Sequence, residues 1–83
     1  MMNVNEVYAF VRCLMAAAEK DGRTELIEQL DDALHLGSSG LEILGTIRNI
    51  VADNLEIIFA LMGPSSRHEV EEIIAFADKM YGH

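Results

Sequence analysis

Basic residues are scarce in this chain: six Lys and Arg stand against fourteen Asp and Glu, leaving a formal net charge of -8. That balance repels nucleic-acid phosphates and anionic lipid and attracts cationic proteins, so binding to nucleic acid or to a membrane is not expected. Cysteine occurs once, as Cys13, which excludes an internal disulfide. Because Cys is among the most often buried residue types, Cys13 is expected as a reduced thiol in the core of a cytosolic protein. No apolar stretch approaches the roughly 20 residues that a membrane helix needs. Met1 to Asn5 carries no positive charge, and the apolar stretch after it is broken by Glu6 and Arg12. The expectation is therefore no signal peptide and a cytoplasmic location. No segment alternates with period two, and the one β-rich patch, Ile57-Ile58-Phe59, lies inside helical periodicity, so strands are not expected. Internal repeats and low-complexity tracts are also missing.

What remains is an apolar, helical chain. Apolar residues make up 51% of the 83 residues and charged residues 24%, the composition of a folded domain. The length suits one domain, residues 1–83, with one core. Val4, Val7, Tyr8, Val11, Leu14, Met15 and Ala18 recur at helical spacing, with Phe10, Cys13, Ala16 and Ala17 on a second side. The first helix should therefore be central, flanked by more than one neighbour and ended by Asp21-Gly22. A second helix is predicted from Thr24 to Leu36, with Thr24 as its cap and Gly37 as a left-handed stop. Its buried stripe is Leu26, Ile27, Leu30, Ala33 and Leu34. Ser39 and Glu42 fit a capping box that opens a third helical segment, either one helix to Met62 or two pieces parted at Asp53-Asn54, with a kink or break near Asn54 the preferred reading. Gly63-Pro64 interrupts it, and Ser66 with Glu69 repeats the capping-box spacing ahead of a last helix. Short connections make the expected fold all-α, a single antiparallel bundle of four to five helices.

No constellation of residues points to catalysis. His35, His68 and His83 are not at metal-site spacing, and His68 with Glu72 is one pair where zinc needs three or four ligands. No Glu is followed three residues later by His, as di-metal bundles require. Ser38 and Ser39 have no nucleophile motif around them, and the glycines between Gly37 and Gly45 follow no strand and precede no Lys-Ser/Thr pair. The expectation is a protein that is not an enzyme and holds no metal or cofactor.

The most informative feature is a stretch without basic residues, 24–47, that carries Glu25, Glu28, Asp31, Asp32 and Glu42. Helical spacing places Glu25, Glu28 and Asp32 on one face. Like charges at such spacing cost roughly 0.2–0.5 kcal/mol per pair, about 1 kcal/mol over the face. Two readings stand: a solvated acidic face that keeps the protein soluble, or a surface for a basic partner. A third possibility is a homodimer that buries what one chain cannot cover of Phe10, Phe59, Phe76 and the methionines. Tyr81, near the end, is either an exposed anchor or packed on the first helix.

The run from Leu26 to Leu44, with Asp31-Asp32-Ala33-Leu34 and Leu36-Gly37-Ser38-Ser39-Gly40-Leu41-Glu42, resembles the small acidic helical bacterial immunity proteins of contact-dependent and polymorphic toxin systems. That resemblance implies a partner that is a basic toxin domain, such as a nuclease, bound through Glu25, Glu28, Asp31, Asp32 and Glu42. The chain is also similar in size and acidity to acyl carrier proteins, which would imply a prosthetic group on Ser38 or Ser39. Their Asp-Ser-Leu motif falls on Gly37-Ser38-Ser39, however, where the serine is kept and the aspartate and leucine are not.

Overall fold

Five α-helices and one short 3-10 turn follow from these residues in a computed structural model that describes residues 2–37 and 39–80. The helices are α1 (Val4–Lys20), α2 (Thr24–Leu36), α3 (Gly40–Asp53), α4 (Leu55–Met62) and α5 (Arg67–Met80), with the turn at Pro64–Ser66 between α4 and α5. Asn3 opens α1, its Oδ1 accepting from the Glu6 amide at 2.9 Å. The helix ends as Asp21-Gly22 predicts. Gly22 takes φ 72°, the Arg23 amide donates to the Ala18 carbonyl, and the Gly22 amide donates to the Glu19 carbonyl, the two bonds of a Schellman stop.

Three local expectations are corrected. Thr24 is the first residue of α2, not its cap; Arg23 precedes it, and no side chain caps that end. Gly37 ends α2 in an extended conformation, φ -69° and ψ 137°, so no left-handed backbone requires glycine there. Its role is close approach: a Cβ at residue 37 would collide with Cγ1 of Ile43, where α3 crosses the end of α2. Gly37→Ala should therefore destabilise the fold by about 1–3 kcal/mol through overpacking, read as a lowered midpoint in thermal denaturation. Ser66, finally, does not open α5 from outside it. Pro64 starts a 3-10 turn after Gly63 (φ 87°), and the buried Ser66 hydroxyl donates back to the Gly63 carbonyl at 2.7 Å.

The break at residue 54 has a direct cause. In a continuous helix the Asn54 amide would donate to the Ile50 carbonyl. Here the Asn54 side-chain amide takes that carbonyl at 2.8 Å, and the backbone amide shifts to Val51 at 3.2 Å. The third helical segment is thus two helices. α4 then folds back over α1, while α2 lies against α1 and α3, and α5 lies against α3. Arg48 and Asp78 tie α3 to α5 with a 3.1 Å ion pair.

Each helix contributes a fully buried aliphatic side chain to one core: Leu14, Leu30, Ile47, Ile58 and Ile73. The Cα radius of gyration, 11.8 Å, equals the roughly 12 Å that folded chains of this length reach. Phe10 is buried, and Phe59 and Phe76 are half-buried against that core, Phe59 beneath the Arg67 guanidinium at 5.3 Å. The residues at the ends of the apolar stripes, Val4, Leu41, Leu55 and Met80, stay exposed. Cys13 corrects the expectation of a core thiol. The buried face of α1 is Val7, Phe10, Val11, Leu14 and Ala18, covered by α2 and α4, and Cys13 lies outside it, exposed. No helix among the described residues is long and apolar enough to cross a membrane.

Candidate protein-binding surface

α2 sets the acidic surface by turning its apolar stripe inward. Leu26, Leu30 and Ala33 are buried between α1 and α3, which leaves Glu25, Glu28, Asp31 and Asp32 exposed on the outer side. The four carboxylates are not equivalent. A ring nitrogen of His35, Nδ1, lies 2.8 Å from the Asp31 carbonyl and 3.2 Å from its carboxylate. A carbonyl only accepts, so Nδ1 carries the proton and Asp31 is engaged by its own helix. Glu25, Glu28 and Asp32 have neither an ion pair nor a side-chain hydrogen bond among the described residues.

Glu42 sits on the first turn of α3, after the connection that follows α2. Its amide donates to Ser39 Oγ at 3.2 Å, so Ser39 caps α3 as its spacing predicts, and the Glu42 carbonyl accepts from the Thr46 hydroxyl at 3.0 Å. Glu42 is exposed. The hydroxyl of Ser39 is thus employed in holding the helix start. Ser38, Tyr81 and His83 lie outside the described residues.

Leu36 was not anticipated. It is the last residue of α2 and is 76% exposed, the most open of the large apolar side chains described. Four residues beyond Asp32, it continues the Glu25–Glu28–Asp32 face. The signal was present in the sequence, since Leu36 falls outside the buried spacing of Leu26, Leu30 and Ala33. Leu41, 43% exposed, flanks the other side of the same connection. The surface is therefore a row of carboxylates ending in an apolar patch.

Among the described residues no group of three or more His, Cys, Asp or Glu is placed to hold an ion. His68 Nε2 meets Glu72 Oε1 at 2.9 Å as an exposed pair one helical turn apart. The chain matches no protein-family model, no curated protein and no solved structure.

Proposed function

We propose that this protein is a binding inhibitor of the immunity-protein kind, which neutralises a basic protein partner, a toxin domain, in the cytoplasm by covering its cationic surface. The observation that carries the reading is the α2 face: Glu25, Glu28 and Asp32 stand exposed without neutralising partners among the described residues, and the same face ends in Leu36 at 76% exposure. Single exposed apolar side chains are ordinary on a protein surface, and an acidic face kept only for solubility does not call for an open leucine at its end. A binding face does, because carboxylates steer a cationic partner and set its orientation, while desolvated apolar side chains near the centre of an interface hold it. The like-charge repulsion along α2 is relieved when cations of the partner approach.

The experiment is capture of partners by the tagged chain from a native lysate, at low and at high salt, with mass spectrometry of what is retained. One basic protein held at low salt and diminished at high salt is the expected result, since screening acts on exposed charge. Retention of acidic proteins, or of a partner indifferent to salt, would remove the electrostatic reading. The intact mass of the bait should stay that of the bare chain; a fixed gain on Ser38 or Ser39 would point to a carrier protein instead.

A further inference from the structure

Helix α1 has its main partners in α2 and α4, and α5 has its own in α3 and the 3-10 turn, so a trough remains between the first helix and the last. Met2, Phe10 and Met62 form its apolar floor, Glu6 of α1 lines one side, and Glu69 and Glu72 of α5 line the other, around a cavity of about 360 Å³. An adjoining cavity of about 270 Å³ extends it along Ala75 and Phe76 to Lys79. Among the described residues Glu72 meets only the exposed His68, and the carboxylates of Glu6 and Glu69 meet no cation. Neither carboxylate group belongs to α2.

We propose that this trough docks a second segment of opposite character: a cationic amphipathic helix of a partner protein. Its apolar face would lie on Phe10 and the methionines, and its Lys or Arg side chains would reach Glu6, Glu69 and Glu72. Charge complementarity selects this occupant. A second copy of this chain brings a net charge of -8 against carboxylate walls, and nucleic acid or anionic lipid meets the same repulsion. A purely apolar segment would leave three carboxylates desolvated at its edges. A floor with two methionines accepts apolar side chains of varied shape, as grooves that take helices commonly do.

Cys13 lines the trough, is exposed, and is the one cysteine in the chain, so its alkylation rate reports occupancy directly. The probe is a synthetic Leu/Lys helical peptide of about 18 residues, long enough to form helix on contact. It should slow Cys13 alkylation by iodoacetamide saturably in the full chain. Two triple variants separate the trough from bulk charge: Glu6→Gln/Glu69→Gln/Glu72→Gln and Glu25→Gln/Glu28→Gln/Asp32→Asn each remove three negative charges, from -8 to -5. The first should weaken the peptide about tenfold and the second by less than about twofold, since only local rim charges contribute to a docked helix. Ala9→Trp fills the trough from α1 with all charges in place, and should abolish protection even if the glutamine variant is poorly folded. Equal weakening by both triple variants, no protection of Cys13, or protection that rises with protein concentration without peptide would each overturn the proposal, the last because a second copy would then be the occupant. The α2 reading is judged on the natural partner captured from lysate, which this peptide does not involve, so the two fail separately.

Discussion

Leu14→Ala is expected to lower the thermal midpoint by about 10–25 °C. Leu14 is fully buried at the centre of α1, the helix that α2 and α4 both cover, so the space it leaves is walled on more than one side and cannot collapse cheaply. Truncation of such a leucine costs roughly 2–5 kcal/mol from lost transfer energy and the residual cavity. In a domain of this size each kcal/mol moves the midpoint by about 4–8 °C, and the total stability is only on the order of 4–12 kcal/mol. Circular dichroism at 222 nm during heating is the measurement, with Leu36→Ala as its control. Leu36 is 76% exposed, and its loss should change stability by no more than about 0.5 kcal/mol. If the two substitutions proved equally harmful, or equally harmless, the division between core and surface described for α1 and α2 would be wrong.

The contrast between Leu14 and Leu36 also marks where sequence reasoning succeeds. Helix number and breakpoints were legible because each rests on interactions within a few residues. Asp21-Gly22 makes a Schellman stop, Asn54 competes for the Ile50 carbonyl, and Ser39 accepts from the Glu42 amide. The errors arose where two distant segments meet. Gly37 is needed because Ile43 comes against it, a fact set by the crossing of α2 and α3 that no left-handed preference announces. Cys13 looked internal because α1 is apolar on nearly every side; which side stays open depends on where α4 and α5 come to rest. Ser66 carried the right spacing for a cap, yet Pro64 committed those residues to a 3-10 turn that draws the hydroxyl back to Gly63.

The exposed acidic face of α2 was legible for a different reason. Exposed charge needs no tertiary partner, so a basic-free stretch with helical spacing already places Glu25, Glu28 and Asp32 together on the outer face of α2. What the structure adds is discrimination. Asp31 is set apart by His35, and Leu36 joins the face as its apolar end. The trough between α1 and α5 could not be foreseen, because Glu6 and Glu69 are brought together only by the packing of α4 against α1 and of α5 against α3.

If α2 binds a basic protein as proposed, Glu25→Lys/Glu28→Lys/Asp32→Lys should abolish capture of that partner while leaving a folded protein. Each substitution adds two units of positive charge, so the net charge moves by six, from -8 to -2. The three side chains are exposed and make no hydrogen bond or ion pair among the described residues, so nothing in the core is disturbed. The principal cost is a cation in the first turn of α2 at residue 25, about 0.3–1 kcal/mol against the helix dipole. Binding should fall by about a hundredfold or more, because attraction becomes like-charge repulsion at the contact itself. The loss should appear mainly in the association rate and shrink as salt is raised, where screening removes the repulsion along with the attraction. Leu36→Ala supplies the complementary kinetic signature: a faster dissociation rate with an unchanged salt slope, as expected of an anchor that acts by desolvation. Surface plasmon resonance of the captured partner across a salt series measures both. A triple variant that binds as tightly as the wild type would remove α2 from the interface, and a Leu36→Ala effect confined to the association rate would show that the leucine is not buried in the complex.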